Sequence, residues 1–168
     1  MKNNIYVKFS NDQVTSVELE KDEKYELSFG TSAATLNVFD KGVSQIYNYS
    51  KLAFISEYNE EKALIEYGKT IIFDATINVL YSGSNDIKGI KLKNCIDINK
   101  SNDNLVFMVR CITSKGLLEK YYFPNTNVAF IEKYDFKKLV EETEEKPSIS
   151  NTEVKENSSN VIEEVKKE

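Results

Sequence analysis

The sequence contains no histidine and no tryptophan, one arginine, two prolines, two cysteines and six glycines in 168 residues. Without histidine the chain loses the commonest general base, the Ser–His and Cys–His dyads, and the commonest metal ligand. Arg110 stands alone against 21 lysines, so bidentate forks for phosphate or carboxylate are almost absent. Cys95 and Cys111 fall in separate strand-like segments, a spacing that suits neither a zinc site nor a disulfide framework, and they are read as buried free thiols. The few glycines form no phosphate-binding loop: Gly30 is followed by Thr31-Ser32-Ala33, and the next glycine is Gly42. No apolar run approaches the length that spans a bilayer, and the first six residues lack the apolar stretch of a secretory leader. These absences set the expectation of a cytoplasmic chain with no membrane partner, no cofactor, no metal site and no catalytic residue, and hence not an enzyme.

What is present is apolar and unevenly spread. Hydrophobic residues make up 40% of the chain and aromatics 11%, and every one of the 19 Tyr and Phe residues lies at or before Phe136. From Glu141 onward there are nine acids and four lysines, which accounts for the whole formal charge of −5. The body is therefore near neutral and lacks the summed positive field that drives binding to a phosphate backbone. Residues 147–168, rich in Ser, Asn, Glu and Lys, are expected to form a disordered acidic tail. Within it Asn160 can cap a turn that gathers Val161, Ile162 and Val165 on one face, a candidate docking peptide.

Alternation with a period of two marks the strands. Ile5, Val7 and Phe9 share a face, as do Val17 and Leu19, then Tyr25, Leu27 and Phe29, then Leu36 and Val38. The longest series is Ile71, Phe73, Ala75, Ile77, Val79 and Tyr81, followed by Ile90 and Leu92, Ile96 and Ile98, and Leu105 through Cys111. Asx-, Ser- and Gly-rich turns separate these segments, as expected of an antiparallel sandwich or small barrels.

One self-similarity stands out, at an offset of 76 residues. Leu52-Ala53-Phe54-Ile55 matches Val128-Ala129-Phe130-Ile131, each after an aromatic strand and a Gly turn, at Gly42 and Gly116. Asn59 and Asp135 read as N-caps, which predicts a short helix ending at Gly68 and another fading before Pro147. The expected fold is mainly β: two similar small antiparallel units, barrel- or sandwich-like and each ending in a short helix, at residues 1–68 and 69–146, before the tail.

Candidate binding residues follow from burial logic. Arg110 shares a strand face with Val106, Met108 and Ile112, where a guanidinium must reach an acid, a rim or an anionic ligand. Tyr47 and Tyr49, and likewise Tyr121 and Phe123, pair on strand faces where exposed rings would stack bases or anchor a partner. Asp97-x-Asn99-x-Ser101-x-Asp103 imitates the start of a calcium loop, but Asn102 and Met108 occupy its glycine and glutamate positions, so it reads as a solvated turn. The function these residues suggest is a non-catalytic binding module that engages a protein partner or sequesters a small anionic ligand, in the manner of a bacterial or phage accessory or defence-related protein. A single-stranded nucleic-acid-binding protein is the alternative, and a subunit of a symmetric homo-oligomer the second.

Overall fold

The computed structural model describes residues 3–81 and 83–140, without the side chains of Asn59 and Glu60. The predicted tail and its residues Val161, Ile162 and Val165 lie outside the described residues. Eleven strands run in order: β1 (Asn3–Phe9), β2 (Val14–Leu19), β3 (Tyr25–Phe29), β4 (Ala33–Val38), β5 (Val43–Asn48), β6 (Leu52–Lys62), β7 (Ile71–Leu80), β8 (Ile87–Lys100), β9 (Val106–Ile112), β10 (Leu117–Pro124) and β11 (Val128–Lys138). Single 3-10 turns, Tyr49–Lys51 and Asn125–Asn127, precede β6 and β11. All pairings are antiparallel. An eight-stranded sheet has the order β11-β7-β8-β9-β10-β6-β1-β2, and a three-stranded sheet the order β3-β4-β5. The chain is thus mainly β, as its alternation implies, and neither sheet closes into a barrel.

Both expected helices are strands instead. β6 passes through Asn59 to Lys62, where it meets Leu117, and the chain then reaches Gly68 by an irregular stretch and a turn. β11 passes through Asp135 to Lys138, where Lys137 and Lys138 pair with Ile72 and Ile71. Asp135 spends its tolerance of the left-handed region on a bulge rather than a cap: its φ is 52°, and the β11–β7 register shifts between Tyr134 and Lys137. Neighbouring strands supply the backbone partners that a helix would have supplied internally, so tertiary pairing overrides the local capping signal.

Two apolar clusters follow the two halves of the chain. The first joins Ile5, Val7, Leu19, Ala34, Leu36, Val38, Tyr47, Tyr49, Leu52 and Ile55. The second joins Phe73, Ala75, Ile77, Val79, Tyr81, Leu92, Cys95, Val109, Cys111 and Phe123, and it also takes Ala53 from β6. The halves meet where β6 pairs with β10, with Lys120 opposite Glu57, Tyr121 opposite Ser56 and Tyr122 opposite Ile55. Across this junction Phe54 lies with its ring 5.5 Å from both Tyr121 and Phe123, and Tyr122 lies 4.9 Å from Phe29. The Glu57 carboxylate accepts hydrogen bonds from Tyr122 at 2.9 Å and from Tyr25.

Candidate functional site

A cleft of about 370 Å3 opens between the halves, lined by Lys8, Asp12, Phe54, Tyr81, residues 88–92 and Tyr121. Its floor comes from strand pairing. Gly89 lies opposite Asn78, and a Cβ there would sit 3.0 Å from Thr76 Cγ2 and 3.2 Å from Asn78 Oδ1, so any larger residue would press these two side chains aside. Its rim comes from the turn after β1. Asp12 adopts a φ of 66°, its N–H donates to the Phe9 carbonyl at 3.0 Å, and its carboxylate is turned toward the lysines.

The electrostatics of the rim are lopsided. Lys88 Nζ donates to Asp12 Oδ2 at 3.0 Å and to the Ser10 carbonyl at 3.1 Å, and Lys8 Nζ stands 3.5 Å from Asp12 Oδ1. The hydrogen bond and charge of Lys88, with help from Lys8, hold the Asp12 carboxyl below the usual carboxylate range, so it stays ionised. Three ammonium groups, counting Lys91, therefore face one carboxylate around the cleft. Lys88 Nζ also lies 6.0 Å from the centre of the Tyr81 ring, at the outer limit of a cation–π contact. Burial pushes the hydroxyls of Tyr81 and Tyr121 up in pKa, with Asp12 adding to the first and Glu119 to the second. Both remain neutral donors at ordinary pH. Such a cleft offers positive charge beside aromatic residues.

A larger cavity of about 630 Å3 lies at the seam of the two 3-10 turns, lined by Thr31, Ser32, Asn48, Tyr49, Ser50, Leu80, Tyr81, Gly83, Ser84, Thr126 and Asn127. Among the described residues no charged side chain lines it. Asn127 is buried there and ties the halves together, its amide donating to the carbonyls of Tyr49 at 2.8 Å and Leu52 at 3.0 Å. Volume favours this cavity as a binding site, but charge and ring placement favour the smaller cleft, and chemistry decides specificity.

The residues singled out from the sequence fall in several places. Arg110 Nε donates to both Asp97 oxygens, at 3.0 and 2.9 Å, and its Nη2 donates to Oδ2, so its fork is engaged by an acid on β8. With side chains 40% and 27% exposed, the pair contributes only ~0–1 kcal/mol. Tyr47 and Phe123 are buried strand residues, and Tyr49 is buried in the first 3-10 turn rather than on β5. These three rings belong to the cores and offer no exposed stacking face. Tyr121 alone reaches the cleft. Asp97 is taken by Arg110, while Ser101 and Asp103 hold their own turn by bonding to the N–H of Leu105. Among the described residues no group of three or more His, Cys, Asp or Glu could hold a metal ion. Cys95 and Cys111 are free, buried and directly opposite on β8 and β9, with Sγ atoms 3.5 Å apart.

Lys8, Asp12, Lys88 and Gly89 were not singled out by the sequence. Its only relevant signal was the Ser10-Asn11-Asp12 turn. Comparison with known proteins brings no match: no family model, no curated protein and no solved structure is similar to this chain.

Proposed function

We propose that this protein is a non-catalytic binding module that sequesters a small anion bearing an aromatic ring, held in the cleft between its two halves. The observation that carries this reading is the convergence of Lys8, Lys88 and Lys91 with Phe54, Tyr81 and Tyr121 on one cleft of about 370 Å3. That volume falls at the low end of ligand sites, which run from about 300 to 1,000 Å3, and suits a nucleotide-sized molecule. Ammonium groups pair with the anion as point charges, while the ring walls supply apolar contact and stacking. The halves are read as two copies of one unit, which explains why a cleft forms at their junction rather than inside either.

The test is native mass spectrometry after equilibration with a mixture of the four ribonucleoside monophosphates. The wild-type chain is expected to carry one nucleotide mass, and the Lys8→Ala/Lys88→Ala variant to carry none. Equal spectra, with or without adducts, contradict the proposal.

The same lysines beside Tyr121 favour a second reading, binding of single-stranded nucleic acid. There the cleft would hold one nucleotide of a longer strand, and affinity would fall steeply with salt as counterions are released. Affinity that rises with oligonucleotide length would select this reading over a mononucleotide site.

A further inference from the structure

One succession of elements occurs twice: a Gly-turned hairpin strand, a 3-10 turn and an eleven-residue strand. In the first half these are β5, Tyr49–Lys51 and β6, and in the second β10, Asn125–Asn127 and β11. The turns and long strands begin and end at the same offset of 76 residues that relates Leu52-Ala53-Phe54-Ile55 to Val128-Ala129-Phe130-Ile131. The partners correspond as well, since β6 returns to β1 and β11 to β7, while β5 pairs with β4 and β10 with β9.

Within the chain, the long strand of the first half pairs with the hairpin strand of the second, as β6 with β10. The corresponding two strands, β11 and β5, are each at the end of a sheet, with one edge unpaired among the described residues. Their side chains show what is missing. Ala53 is fully buried and Phe54 is half-buried between Tyr121 and Phe123, yet their counterparts Ala129 and Phe130 are exposed, Phe130 at 48%. Tyr122 of β10 packs on Phe29 across the junction, yet Ile46, at the same place in β5, is 70% exposed.

We propose that the β11 edge of one molecule pairs, antiparallel, with the β5 edge of a second copy, repeating between molecules the β6–β10 junction seen within each. Transferring the register of that junction sets Ile131 opposite Ile46, Glu132 opposite Gln45, Lys133 opposite Ser44 and Tyr134 opposite Val43. Apolar residues then meet apolar residues at both ends of the pairing, and no like charges oppose, as a stable cross-strand ladder requires. The pairing also covers two rows of backbone N–H and C=O groups that otherwise form an open template. The contact is heterologous: each added copy leaves one β5 and one β11 edge to be filled. Assembly therefore continues head to tail until it closes on itself or forms a filament. This inference is independent of what occupies the cleft.

The experiment combines mass with register. Sedimentation of the wild-type chain is expected to give multiples of 19.3 kDa that grow with concentration. Phe130→Lys and Ile46→Lys alter exposed side chains, so both variants should keep the β circular-dichroism signal and sediment as monomers. A Gln45→Cys/Glu132→Cys variant treated with a short bis-maleimide should form a ladder of cross-linked species. Either single-cysteine variant, and the wild type with its buried Cys95 and Cys111, should not. A wild-type chain that stays at 19.3 kDa at every concentration overturns the proposal. So does a ladder that forms equally from Glu132→Cys alone, which would mean β11 pairing with β11.

Discussion

Six tyrosines, at positions 25, 47, 49, 81, 121 and 122, have hydroxyl pKa values raised chiefly by burial. Tyr49 is pushed up to about 12, with Asp103 adding to the effect of burial. A group whose folded pKa exceeds its unfolded value holds its proton more tightly when folded. Its contribution to stability is therefore complete below the unfolded pKa, near 10, and is lost as pH rises toward the folded value. Melting temperature is accordingly expected to change little between pH 7 and 9, on the order of a few degrees, and to fall steeply between about pH 10 and 12. Thermal melts across that series check it, and a steep fall already complete by about pH 9 would contradict it. At this scale the sequence was a poor guide to the proposed site. Arg110 was conspicuous because it is unique, and Asp97 engages it. The lysines that line the cleft beside Asp12, Lys8 and Lys88, are two among 21 and carry no local signal. Only the pairing of distant strands places them together.

Strands were far more legible than residues. The alternation of Ile5 with Val7, of Leu36 with Val38, and of Phe73 through Val79 corresponds to buried faces of β1, β4 and β7. The turn glycines Gly42 and Gly116 both take positive φ, of 60° and 72°. Asx residues were ambiguous because the same tolerance serves a helix cap, a turn and a bulge. Asp135 makes a bulge where a cap was expected. Asn94 does the same in β8: its φ is 52°, and it joins the run that contains Ile90 and Leu92 to the run that contains Ile96 and Ile98 as one strand. Asn94→Val should therefore cost about 1–2 kcal/mol through the left-handed backbone, whereas Asn94→Gly should leave stability unchanged or raised. Both variants keep the Asn94 N–H bond to Asp74 Oδ1 at 3.0 Å, so urea unfolding compares backbone cost alone. Equal stability of the two variants would contradict the assignment of the bulge.

At the scale of the molecule, the two cores and the β6–β10 junction explain why a cleft exists where it does. The junction is held by ring packing of Phe54 on Tyr121 and Phe123 and by Tyr122 on Phe29. The turn after β1 then reaches over β8, where Ser10 and Asp12 hold Lys88. Sequence could identify two similar stretches of chain, but not that strands from both would join in one eight-stranded sheet, because such pairing depends on strand order rather than on local pattern. The small charged cleft, not the larger neutral cavity, is the proposed binding site. Side-chain NMR during titration with the same ribonucleoside monophosphates tests it most directly. The Tyr81 and Tyr121 rings are expected to shift together with the Lys8 and Lys88 ammonium signals, while Thr126 and Asn127 stay fixed. Shifts at Thr126 and Asn127 without any at Lys8 and Tyr121, or none anywhere, would contradict it.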